Sequence, residues 1–140
     1  DHRDLHSFPT RRSSDLRLNI LGLGVSYDDR QTDIDQAVAA RDPAAPTLAL
    51  CHYPSDIRCF RNRCIALALA GHTHARQIRL PILGCFWPND AIPRAKASGL
   101  VTLFGVRAHI SPGIGITGPI ARRINCPPEL TILRLVKRIF

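Results

Sequence analysis

The stretch Ala66–Pro81, ALALAGHTHARQIRLP, constrains the chain more than any other. An apolar run from Ile65 to Ala70 stops at Gly71, and His72 and His74 follow two residues apart. A short apolar run bounded by glycine reads as a buried strand. If the backbone beyond it stays extended, positions i and i+2 face the same way, so both imidazoles converge on one point past the strand's end. Gly71 offers a place for a positive φ or a close backbone approach. A second segment repeats the pattern, since Thr47 to Cys51 is a short apolar run with His52 at its end. Two buried strands that each end in histidine predict one site at the carboxyl edge of a sheet, where open α/β sheets hold their ligands.

A lone strand-end histidine is more often a capping or core residue than a ligand. The H-x-H pair changes that balance. Two protonated rings held so close repel, whereas a metal ion uses the neutral nitrogens and removes the repulsion. Arg76, Gln77 and Arg79 keep the neighbourhood basic. Arg76 suits a bidentate contact to phosphate and equally suits a solvated strand start. Asp28 and Asp29 fall in a turn. Asp56 fits the start of a helix after Pro54 better than a metal ligand.

The surrounding pattern alternates strands and helices, which argues for α/β layering. Arg17 to Val25 reads as a strand. Thr32 is placed to cap a helix over Asp33 to Ala40, with Ile34, Ala37 and Val38 on one face and Asp33 and Asp35 near its positive end. After a loop from Asp42 to Pro46 come the Thr47 strand, a short helix from Pro54 to about Asn62, and the GHTH strand. Gln77 to Leu80 is a short strand. Pro81 to Ser98 reads as a loop that Phe86 and Trp87 anchor or line. Leu100–Phe104 and Val106–Ile110 form a hairpin around Gly105. Leu130–Val136, LTILRLV, has the alternation of a final strand.

The first sixteen residues stand apart. His6 to Leu16, HSFPTRRSSDL, has no apolar period, no signal-peptide core, and the look of a translated sequencing adapter. The expectation is a non-native or disordered leader over 1–16 and one domain, or part of one, over 17–140. The leader holds three basic residues (Arg3, Arg11, Arg12) and three acidic ones (Asp1, Asp4, Asp15), so the net charge of +8 belongs to the rest. The five cysteines, with no C-x-x-C pair, argue against a zinc ribbon or a disulfide framework. No apolar run is long enough to span a bilayer.

With these residues in view, the chain resembles the calcineurin-like metallophosphoesterases. GHTH follows an apolar strand, LALCHYP places a histidine after the preceding one, and the tail HISPGIGITGPIARRINCPPELTILRL is similar to the carboxyl end of a bacterial branch. That branch includes UDP-diacylglucosamine hydrolases. The resemblance implies an α/β/β/α sandwich of which this chain supplies the second half. It also implies two divalent ions (manganese, zinc, iron or similar), with His52 and His72 serving one and His74 the other. Arg76 becomes a substrate-binding candidate. The implied substrate is a phosphoester, lipid-linked or nucleotide-linked, handled in a bacterial cytoplasm or at the membrane periphery. The family's other ligands come from D-x-H, G-D-x-x-D and G-N-H segments, and from Arg17 onward none of these occurs. The bridging aspartate and catalytic histidine are therefore missing, and the chain by itself is expected to be inactive. The family often continues with Gly or Ala, then Gly, then Gln; here Ala75 and Arg76 precede Gln77, so Arg76 departs from that pattern.

Two other function classes compete. The basic clusters Arg58/Arg61/Arg63, Arg122/Arg123 and Arg134/Lys137/Arg138 suit nucleic acid, but 6% aromatic content and the lack of a known module disfavour it. Attraction to phosphate substrates or an anionic surface explains the charge as well. A mononuclear structural zinc module lacks a nameable fourth ligand. The literal G-x-G-x-x-G at Gly113–Gly118 runs into Pro119 rather than a helix, which excludes a dinucleotide fingerprint.

Overall fold

The computed structural model describes residues 17–25, 30–80, 84–85, 90–116 and 122–136. The leader, Asp28, Asp29, Phe86 and Trp87 lie outside these, as do the side chains of Arg76 and Cys85.

Asn19 fixes where the first strand, β1 (Asn19–Gly22), begins. Its side-chain amide is buried and donates to the carbonyls of Asp42 (2.8 Å) and Ala45 (3.0 Å), while its oxygen accepts from the Asp42 amide at 3.0 Å. This ties β1 to the loop before β2 (Thr47–Leu50). Helix α1 (Arg30–Ala39) joins them and buries Ile34. It starts earlier than its sequence signal suggests. Thr32 sits inside the helix and is not its cap, while Asp33 keeps the first-turn position where a carboxylate favours the dipole. A 3-10 segment (Pro54–Phe60), entered through proline, leads to β3 (Leu67–Ala70). Beyond the histidine turn, a second 3-10 piece (His74–Arg76) precedes β4 (Arg79–Leu80), which pairs with β5 (Gly84–Cys85). After a third 3-10 piece (Arg94–Lys96), β6 (Gly99–Leu103) and β7 (Val106–Ile110) form the hairpin expected around Gly105. Phe104 and Gly105 both have positive φ, 52° and 82°, as a tight two-residue hairpin turn requires.

The main sheet has five strands in the order β1-β2-β3-β7-β6, with only β6 antiparallel to its neighbour. The parallel strands bring the carboxyl ends of β2, β3 and β7 side by side. Fully buried Ala49, Ala68 and Ala108 lie in register across the centre. Their small side chains leave room for Ile57 and Phe60 of the 3-10 segment to enter the same core. Leu103, Val106 and Ile110 extend that face.

The opposite face is apolar too. Register places Ile20, Leu48, Leu67, Leu69 and His109 there with Leu50 and Leu100, the last two 37% and 55% exposed. A sheet apolar on both faces, carrying helix on one of them, is an α/β layer that suits half of a sandwich. No helix among the described residues is long and apolar enough to cross a membrane.

One expected strand does not form. Leu130–Val136 has no strand pairing, and Leu130 and Ile132 are 84% and 89% exposed. Alternation marks a half-buried strand only where a neighbouring strand is offered, and among the described residues none is. Cys51, Cys59, Cys64 and Cys126 are free thiols.

Candidate metal centre

The adjoining ends of β2 and β3 assemble the site. The Gly71 amide donates to the His52 carbonyl at 3.2 Å, which extends the parallel ladder two residues past β2. His52 and His72 therefore start from neighbouring backbone, and His52 Nε2 lies 3.1 Å from His72 Nδ1. Two imidazole nitrogens bound to one ion at the usual metal–nitrogen length stand about 2.9–3.4 Å apart, for octahedral to tetrahedral angles. The observed separation is that of a ring-to-ring N–H···N hydrogen bond and also falls inside that span, so the same two nitrogens fit two ligands of a single ion.

The turn does not run extended, contrary to the spacing argument. His72 has φ +60°, Thr73 is right-handed helical, and His74, Ala75 and Gln77 have φ +49°, +47° and +39°. Residues i and i+2 of a coiled segment need not share a side. His72 turns to His52, whereas His74 places its Nδ1 3.2 Å from the Gly115 carbonyl oxygen. Among the described residues no three His, Cys, Asp or Glu side chains gather into a site for one ion. Gly71 is also not the residue that bends. Its φ is not positive, and a methyl group there would meet nothing within 4 Å. The left-handed turn falls on the histidines themselves. Non-glycine residues held at positive φ cost about 1–3 kcal/mol each when nothing compensates, and such residues cluster at functional sites.

Other residues hold this strained turn, and spacing alone did not reveal them. Thr73 is fully buried and donates its hydroxyl to the Ala97 carbonyl at 2.7 Å. Tyr53 stands edge-on to both rings, with centroids 4.7 Å from His52 and 4.4 Å from His72. A parallel bridge between Ile78 and Ile124 brings the segment Arg123–Cys126 beneath the turn, where Cys126 Sγ donates to the His74 carbonyl at 3.3 Å. The only sequence signals were the positions of Thr73 and Tyr53 beside the histidines. His109, as expected, belongs to the sheet, buried in β7 opposite Leu69 and Leu100. Asp56 is buried in the first turn of its 3-10 segment.

Thr73 and Gly71 make a contrast that can be measured. Thr73→Val leaves the Ala97 carbonyl without its donor and is expected to cost about 1–3 kcal/mol in urea unfolding. Gly71→Ala is expected to stay within about 0.5 kcal/mol of the parent. A large loss at Gly71 would contradict the assignment of the bend to His72.

Known proteins resemble the chain over most of its length. The chain is 34% identical over 97 residues to phosphodiesterase YaeI of Escherichia coli (strain K12), covering 69% of this chain and 35% of that protein. It is 33% identical over 115 residues to an uncharacterized metallophosphoesterase of Helicobacter pylori (strain J99), covering 79% of this chain and 29% of that protein. The corresponding protein of H. pylori strain 26695 is 32% identical over 111 residues. The chain belongs to the metallophosphoesterase family. Neither a family model nor a solved structure matches it. This metallophosphoesterase chain spans about a third of the length of the curated relatives it matches. Family membership does not favour the nucleic-acid or structural-zinc readings. The structure weakens the former further, because two of the clustered arginines are engaged within the fold. Arg63 pairs with Asp35 at 2.6 Å, and Arg123 is held by loop carbonyls.

Proposed function

We propose that this chain contributes the histidine half of a divalent-metal phosphodiesterase centre. The observation that carries the proposal is the 3.1 Å approach of His52 Nε2 and His72 Nδ1 at the ends of adjoining parallel strands. In this reading His52 and His72 hold one ion, His74 contributes to a second, and Tyr53 walls the pair. The ions, when bound, supply Lewis-acid polarisation of a phosphoryl oxygen and lower the pKa of water. The chain's own residues orient the ligands. The ladder past β2 sets His52, the left-handed turn sets His72, and Gly115 sets His74. Arg76 stands two residues after the last histidine, His74, and a guanidinium suits a phosphate oxygen. Manganese, zinc and iron all accept imidazole nitrogen. The relatives' names stop at "phosphodiesterase" and "metallophosphoesterase", so lipid-linked and nucleotide-linked diesters are the substrate classes to compare.

Three imidazoles bring no bridging oxygen ligand, and two-metal catalysis needs both ions fixed beside the attacking water. The 140-residue chain with Mn²⁺ and a chromogenic phosphodiester is therefore expected to turn over far more slowly than a full-length relative. EDTA or His52→Ala should remove what activity there is. Turnover indifferent to both would overturn the proposal. Salt-sensitive, metal-independent binding to DNA would favour the nucleic-acid reading instead.

A further inference from the structure

The loop after β7 curls over the histidine turn and is gathered by one side chain. Arg123 Nη2 donates to the carbonyls of Pro112 (2.8 Å), Gly113 (2.9 Å) and Gly115 (2.6 Å), and Nε donates to Gly115 at 3.0 Å. Nη1 lies 3.4 Å from the His74 carbonyl and 3.6 Å from Cys126 Sγ. Among the described residues Arg123 has no carboxylate partner. Its whole fork is directed at carbonyl oxygens and one sulfur. Carbonyls that converge in this way carry like partial charges and repel, and a cation at their focus holds them together.

One of these carbonyls acts on a histidine. A carbonyl oxygen only accepts, so the contact of 3.2 Å between His74 Nδ1 and Gly115 O requires the proton on Nδ1. Neutral His74 then carries its lone pair on Nε2, the nitrogen left for a ligand. We infer that Arg123 is a positioning residue: by holding the Gly115 carbonyl over the histidine turn, it sets the tautomer and ring orientation of His74. This rests on the proposed role of His74 as a metal ligand, but its structural half can be tested without metal. Gly113 O has a second anchor in the Glu129 amide at 3.0 Å, whereas Gly115 O receives only Arg123 and His74 among the described residues. Loss of Arg123 should therefore release Gly115 specifically.

The experiment is long-range ¹H–¹⁵N correlation on the metal-free chain labelled at histidine. In the parent, His74 is expected in the Nδ1–H form. In Arg123→Ala the tautomer ratio should move about tenfold toward Nε2–H, the equivalent of one net hydrogen bond. The signals of His109, buried in β7, should stay in place and report an intact sheet. If Arg123→Ala does not fold, Arg123→Lys is read in the same way, because a single ammonium cannot reproduce the fork. An unchanged His74 tautomer in a folded variant overturns the inference. Zn²⁺ titration by calorimetry then addresses the ligand role, with affinity expected to fall roughly 10–100-fold in the variant. A parent whose His74 tautomer depends on Arg123 but which binds no Zn²⁺ would sink the metal reading and leave the positioning role standing.

Discussion

Phe60→Ala is expected to remove about 3–5 kcal/mol of stability, the usual cost of deleting a fully buried phenylalanine. Phe60 is 1% exposed and, with Ile57, is one of the largest side chains wholly enclosed in the core. It fills the space above the Ala49, Ala68 and Ala108 row. Alanines cannot spread to fill a vacated ring, so the hole would persist, and residual cavity volume is what makes such truncations costly. Small domains are stable by only about 5–15 kcal/mol in total, so a large part of the folded margin would go. Urea unfolding followed by circular dichroism reads this directly. Leu100→Ala, at a side chain 55% exposed on the other face, should cost far less. Equal losses at the two positions would show that the 3-10 layer is not the principal core.

The contrast between the sheet and the tail shows what can be read from the sequence. β2, β3 and the β6–β7 hairpin were legible because short apolar runs and a glycine turn carry their own signals, and their partners lie within the chain. Leu130–Val136 carries an equally good alternation and forms no strand. Alternation records what a segment can pair with, not whether the partner is present. The start of α1 was misplaced because a capping threonine and a first-turn threonine look alike in sequence.

The geometry of the candidate site was half legible. The nearness of His52 and His72 followed from topology, since both stand past parallel strands in register. The direction of each ring depended on φ values of +60° and +49° at His72 and His74, which no spacing rule contains. The bracing residues were harder still. Arg123 lies 49 positions from His74, and the Ile78–Ile124 bridge helps to bring it underneath. Read from sequence, it belonged to a basic cluster.

Divalent metal should stabilise this chain, and His52→Ala should abolish the effect. An ion that binds only the folded state adds about 2.7 kcal/mol when present at 100 times its dissociation constant. For a domain of this size that corresponds to a rise in melting temperature of roughly 5–15 °C. Mn²⁺ and Zn²⁺ should act and Mg²⁺ should act much less, because Mg²⁺ prefers oxygen ligands and holds its water tightly. EDTA should return the melting temperature to its metal-free value. His52→Ala is the clean variant, because His52 has an ordinary backbone conformation and its ring is one of the two facing nitrogens. At His72 the backbone sits at φ +60°, so His72→Asn, which tolerates the left-handed region, separates ligand loss from backbone strain. Both variants should melt near the metal-free parent and no longer respond to Mn²⁺. A shift that persists in His52→Ala would place the ion elsewhere and remove the histidine pair from the centre.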